Sequence, residues 1–148
     1  MSRLELPLER RILQSTGDVV LRAELELELK TNEGTWVTVP FRVDSGTEMT
    51  TMPAERAKKR DLPIPKRAVC GLTFRGQEAR AGLLRARIVG MDPTEYTFPC
   101  YFLGDPNVPP ADPKYLLGLT GVVDQVRLMF DGTPALGAPR GVLVVEKI

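Results

Sequence analysis

From Val20 to Lys30 apolar and polar residues alternate without a break. Leu21, Ala23, Leu25, Leu27 and Leu29 fall on one side, and Arg22, Glu24, Glu26, Glu28 and Lys30 on the other. A period of two over that length predicts a half-buried strand. Leucine and glutamate favour helix by intrinsic propensity, but a helix would spread these leucines around its whole circumference, so the pattern prevails. Thr31-Asn32-Glu33-Gly34 supplies a turn. Trp36 to Val43 then alternates again, and the two runs predict a hairpin that ends on Asp44.

Beyond Asp44 the elements are shorter. Pro53 to Arg60 predicts one short helix, with proline in its first turn, Glu55 near the positive end of its dipole and Lys58, Lys59 and Arg60 at the other end. Residues 67 to 90 read as a long hairpin turning at Arg75-Gly76-Gln77, and Tyr96 to Leu103 as a strand that Pro99 places at an edge or a bulge. Gly104 to Lys114 holds four of the thirteen prolines and reads as an ordered surface loop. Tyr115 to Leu119 is a short apolar strand, and Gly121 to Val126 one or two helical turns. A strand through Phe130, a turn at Asp131-Gly132 and a β-forming terminus, Gly141 to Ile148, close the chain. Many short strands and little helix predict a mostly β domain, a closed barrel or a sandwich, with one or two short helices. The domain spans residues 19–148, preceded by an extension of residues 1–18.

Composition narrows the chemistry. At 148 residues one domain can bury a core without staples. Twenty basic residues against nineteen acidic ones give a net charge of +1, so no single-sign field points to nucleic acid or a membrane surface. No apolar run reaches bilayer length and the N-terminus has no signal-peptide pattern, which makes a cytoplasmic location the expectation. With no histidine, Ser-His-Asp and Cys-His schemes are excluded in their usual form, as is a histidine-bearing zinc site. Cys70 and Cys100 form no CxxC pair and read as free thiols, with a disulfide between them the minor alternative in a cytosolic chain. Any chemistry here falls to carboxylates, hydroxyls, lysines or backbone groups, with no metal or cofactor.

One motif fits that restriction. Phe41-Arg42-Val43-Asp44-Ser45-Gly46-Thr47 carries a carboxylate, a hydroxyl and a glycine out of an apolar strand. Alone, Asp-Ser-Gly specifies no more than a turn. A hairpin follows at Arg75-Gly76-Gln77, and the segment Leu116-Leu117-Gly118 comes later, before a short helical stretch. In order and spacing the three parts resemble the single-domain, retroviral-type (retropepsin-like) aspartic proteases, over about Val37 to Phe130.

That resemblance implies a closed β barrel of the acid-protease kind and a specific chemistry. Asp44 is the catalytic carboxylate, and one such motif per chain requires a homodimer in which two copies of Asp44 face one water. Two adjacent carboxylates do not both ionise cheaply, so they share a proton. The ionised member then acts as base on the water while the other polarises the peptide carbonyl. Ser45 would bond across the dimer, Gly46 would keep the turn uncrowded, and Gly118 would let its strand approach closely. Arg75, Gly76 and Gln77 would form the tip of a flap over a peptide or protein substrate.

Two positions depart from the family pattern. Arg42 stands where an aliphatic residue is usual, on the same strand face as Asp44. There it either lowers the pKa values of the carboxylate pair or favours an acidic substrate side chain. Thr47-Glu48 replaces the small residue and frequent aspartate that follow the glycine. Two rival readings remain. One is a non-catalytic dimeric peptide-binding or dimerisation module on the same fold; the other is an unrelated monomeric barrel with a plain turn at Asp44. The C-terminal Gly141–Ile148 segment is the expected dimer edge, unless it pairs within its own chain.

Overall fold

In a computed structural model, described for residues 2–68 and 71–148, eleven strands and one short helix form two sheets. In chain order the strands are β1 (Arg3–Pro7), β2 (Glu9–Ile12), β3 (Val19–Lys30), β4 (Trp36–Asp44) and β5 (Thr51–Pro53). After helix α1 (Ala54–Lys59) come β6 (Thr73–Phe74), β7 (Gln77–Ile88), β8 (Tyr96–Leu103), β9 (Leu116–Leu117), β10 (Val126–Asp131) and β11 (Val142–Lys147). The chain is mostly β, as its alternation predicts.

The larger sheet runs β2-β3-β4-β9-β5-β8-β7-β6, and β3 also pairs with β7 through Leu27↔Ile88 and Leu29↔Ala86. Six strands, β3-β4-β9-β5-β8-β7, thereby close into a ring. The alternating positions explain what fills it. Ala23, Leu25, Leu27 and Leu29 of β3 are buried, with Val39, Phe41 and Val43 of β4 against Phe98, Phe102, Met52 and Leu84. Each fully buried leucine or phenylalanine contributes about 1.5–3 kcal/mol relative to exposure. The interior is therefore specified by the residues that give the strands their period.

Several expectations change. The region before residue 19, expected to be an extension, carries two strands: β1 pairs with β11 and β2 with β3. The C-terminal strand, expected as a dimer edge, lies between β1 and β10 in a three-stranded sheet. Its backbone groups are paired within the chain, because Leu4, Leu6, Leu128 and Phe130 on its neighbours pack onto the core. Gly121 to Val126 forms hydrogen-bonded turns, Val123 and Val126 donating to the carbonyls of Leu119 and Val122, rather than a helix. Pro53 stands one residue before α1 as its extended cap, not within its first turn. Pro99 is tolerated because β5 reaches only Tyr101–Leu103, leaving β7 as the one neighbour of β8 at that point. The outer arm of the 67–90 hairpin is short, Thr73–Phe74, and Val69 and Cys70 lie outside the described residues.

Candidate active site

The site begins where β4 runs out. Leu117 and Leu116 of β9 pair in parallel with Val43 and Arg42, while Thr51 of β5 pairs with Leu116 from the other side. The strand β9 is thus inserted between the two strands that the Asp44 loop connects. The loop has to pass across the end of β9, and Gly118 is where it does so. A Cβ at Gly118 would sit 2.3 Å from the Met49 carbonyl carbon and 2.5 Å from Glu48 O. No side chain fits.

Hydrogen bonds lock that crossing. Gly118 N–H donates to the buried Thr50 Oγ1 (2.9 Å), Leu119 N–H to Thr47 O (3.2 Å) and Thr120 N–H to Glu48 O (2.8 Å). Within the loop, Asp44 Oδ1 accepts the Gly46 N–H at 3.1 Å and the Thr47 hydroxyl at 2.5 Å. Thr47 is buried, so its hydroxyl pins the carboxylate from inside. Among the described residues the other oxygen, Oδ2, accepts no hydrogen bond. Asp44 is half-buried, and Ser45 and Gly46 are exposed at the loop tip. The expected crowding at Gly46 is not present within the chain: an added Cβ would meet only Asp44 Oδ1, at an ordinary 3.9 Å.

Charge surrounds the carboxylate on the outer face of the sheet. Arg22 of β3 is in register with Asp44, and Glu24 with Arg42. Arg22 Nε pairs with Glu9 at 3.5 Å. The Arg42 guanidinium is held below its ordinary pKa, first by burial and then by repulsion from Arg22 and Arg11, with Asp44 and Glu9 acting in the opposite sense. Arg42 and Asp44 therefore share one face and feel each other's charge.

No protein-family model matches the chain, and no curated protein does. In structure it is similar to a retropepsin-like aspartic protease from Rickettsia conorii, with a TM-score of 0.58 at 13% sequence identity, covering 98% of this chain and 91% of that one. The fold is retropepsin-like. At that identity the likeness is one of backbone, and residue roles rest on the local geometry.

The retropepsin-like frame brings Asp44, Ser45, Gly46, Thr47 and Gly118 into one loop crossing, with Arg42 beside it. It does not bring Arg75, Gly76 and Gln77 to them: no hydrogen bond, ion pair or shared cavity joins these three to Asp44 among the described residues. Arg75 and Gly76 form the two-residue turn between β6 and β7, both at positive φ (52° and 76°), which suits the primed turn of a tight hairpin. The Arg75 guanidinium lies 5.1 Å over the Phe74 ring, itself edge-on to Tyr101. Arg75 and Gln77 wall a cavity of about 340 Å³ with Thr51, Pro110, Asp112 and Lys114. In one chain the hairpin tip thus faces the proline-rich loop.

Sequence reasoning missed Thr50, Arg11 and Lys114. The buried Thr50 hydroxyl that receives the Gly118 N–H had a signal in the threonine-rich exit of the loop. Arg11 and Lys114 had none, since Arg11 is brought near through the pairing of β2 with β3 and Lys114 through the fold of the proline-rich loop. Cys100 is a buried free thiol whose ionisation burial pushes far upward, so it is not a nucleophile.

Proposed function

We propose that the protein is an aspartic endopeptidase that works as a homodimer, each chain contributing Asp44 to one water on a closed-barrel frame. The observation that carries this reading is the Asp44 carboxylate itself. One oxygen is fixed by Gly46 N–H and Thr47 Oγ1. The other is free, at an exposed loop tip braced by Gly118. Such a carboxylate is oriented but unpartnered, half of a catalytic pair.

A second chain placed against the tip completes the chemistry. Two carboxylates sharing one proton supply a base for the water and an acid for the peptide carbonyl. The water's oxygen bonds to the carbonyl carbon as its proton passes to the ionised carboxylate. The protonated carboxylate donates to the carbonyl oxygen. Return of a proton to the amide nitrogen then breaks the C–N bond, leaving a carboxyl and an amine. The rate falls when the pair holds two protons or none.

Wild type is expected to cleave denatured casein across some part of the range from acid to neutral pH, and Asp44→Asn to cleave none of it at an unchanged dimer mass. An intact mutant dimer that still cleaves would sink the assignment; a wild type that is monomeric throughout would sink the dimer. Gly46 gives an independent check, because its chain has room for a methyl group. As an isolated chain Gly46→Ala is expected to unfold within about 1 kcal/mol of wild type, yet to self-associate more weakly by sedimentation equilibrium. Unchanged association would mean that the loop tips do not meet.

The non-catalytic dimeric peptide-binding module remains the second reading, favoured by Arg42 and Glu48 at positions where the family pattern has other residues. It predicts peptide binding by wild type with no turnover.

A further inference from the structure

We propose that the cleft between β4 and the proline-rich loop, residues 104–114, is an anion subsite centred on Arg42 that receives an aspartate or glutamate side chain of an extended polypeptide. The proposal rests on the endopeptidase reading for calling that polypeptide a substrate, and on the geometry alone for the anion.

The cleft encloses about 380 Å³ and brings together Arg11 from β2, Arg42 from β4 and Lys114 from the loop, with Glu24 and Asp112 as the two carboxylates. Their pairing is uneven. Lys114 Nζ lies 3.6 Å from Asp112, so these two answer each other. Behind Arg42, Arg22 is engaged by Glu9. Among the described residues neither Arg11 nor Arg42 has a carboxylate within the 4.0 Å of an ion pair, although Glu24 is the cross-strand neighbour of Arg42. Arg22 Nη1, in the wall of the smaller cavity that Arg42 also lines, is buried with no hydrogen-bond partner. Arg11 and Arg42 are thus the cations of this corner that no carboxylate of the described residues engages at ion-pair distance, although Glu9, Glu24, Asp44 and Asp112 stand around them.

Such an arrangement costs stability until an anion arrives. The half-buried Arg42 guanidinium has lost part of its hydration without a close ion-pair partner, and repulsion from Arg22 and Arg11 outweighs the attraction of the more weakly acting Asp44 and Glu9. A carboxylate entering the cleft relieves both penalties, and the planar fork of arginine suits its two oxygens.

Two observations favour a polypeptide side chain over a free ion. Arg42 stands two residues before Asp44 on the same strand face, about 7 Å along the backbone, which is the reach from a cleaved bond to a neighbouring side chain. The cleft also continues. Asp112 and Lys114 line both it and the cavity of about 340 Å³ that ends at Arg75 and Gln77. An extended chain can follow that path; a small anion fills one end.

The test uses the full-length Asp44→Asn protein, so that no turnover is needed. Fluorescein-labelled extended peptides are compared in pairs that differ only in glutamate or glutamine at one position, by fluorescence anisotropy. At one position or more the glutamate member is expected to bind about tenfold tighter or better. Adding Arg42→Gln should remove the difference. Because Arg42 is half-buried in the central strand β4, between β3 and β9, Arg11→Gln at an exposed position serves as the second variant and should narrow the gap. Equal binding of the pairs, no binding by any pair, or a gap that survives both substitutions would overturn the proposal. So would inorganic phosphate binding that depends on Arg42 while the peptides do not discriminate, which would assign the cleft to a free anion. Casein cleavage by wild type without glutamate preference would defeat the subsite and leave the endopeptidase standing. Preference without cleavage would do the reverse.

Discussion

Replacing Gly118 by alanine is expected to lower the unfolding free energy by about 3 kcal/mol or more, beyond the usual range for overpacking a core. The reason is what the new methyl group would meet. Met49 C at 2.3 Å, Glu48 O at 2.5 Å and Met49 Cα at 2.6 Å are all backbone, so no side chain can rotate away. Relief requires moving the loop off the end of β9. That movement breaks the buried bond from Gly118 N–H to Thr50 Oγ1 and the bonds from Leu119 and Thr120 to Thr47 and Glu48. An unsatisfied buried group adds about 1–3 kcal/mol to the steric term. In thermal unfolding the midpoint should drop by about 10 °C. A midpoint within about 2 °C of wild type would show that the loop yields freely and that the crossing does not position Asp44. Activity should suffer further in whatever fraction stays folded, because displacing a catalytic group by about 1 Å costs on the order of a hundredfold.

Much of this arrangement is legible in the sequence, and the gaps follow a physical rule. Period-two alternation named the buried residues of β3 from Ala23 to Leu29 and marked β4 as a second alternating strand, because those strands bury one face and wet the other. The turn at Arg75-Gly76 was legible from its glycine. What failed was any inference that depended on partners distant in sequence. All four residues of β2 are exposed, so its pairing with β3 leaves no hydrophobic trace. Leu4, Leu6 and Leu8 do alternate, but Pro7 interrupts a run that is only six residues long and hides β1. The apolar C-terminus correctly reads as a strand, yet apolarity cannot say whose edge it meets; β1 and β10 take both edges. The same limit applies at the site. Asp44, Ser45, Gly46 and Thr47 are contiguous and could be read together. Thr50 and Gly118 meet across 68 positions, and Arg11, Arg42 and Lys114 converge from three elements.

Joining two copies of the chain through a flexible linker, with Asp44→Asn in one copy only, is expected to abolish cleavage as completely as changing both. A carboxylate pair has no division of labour that an amide can fill. Asparagine neither accepts the water's proton nor donates one to the carbonyl, so the surviving Asp44 faces a partner that completes neither half-reaction. Losing positioned acid–base catalysis removes up to about 10⁴-fold in rate. The tether is what makes the experiment decisive, because it holds the copies at high effective concentration and stops the mutant half from escaping by dissociation. Its design follows from the fold: Lys147 N–H donates to Ser2 O, so each chain's two ends lie side by side in the three-stranded sheet. The linker must therefore span from one chain's sheet to the other's, and a glycine-serine segment of adjustable length does so without ordering either loop. Half the wild-type rate in the singly changed tether would mean that each Asp44 acts alone, and the shared water would have to be abandoned. Complete loss, together with full activity in the unchanged tether, would leave two carboxylates acting as one unit as the remaining account.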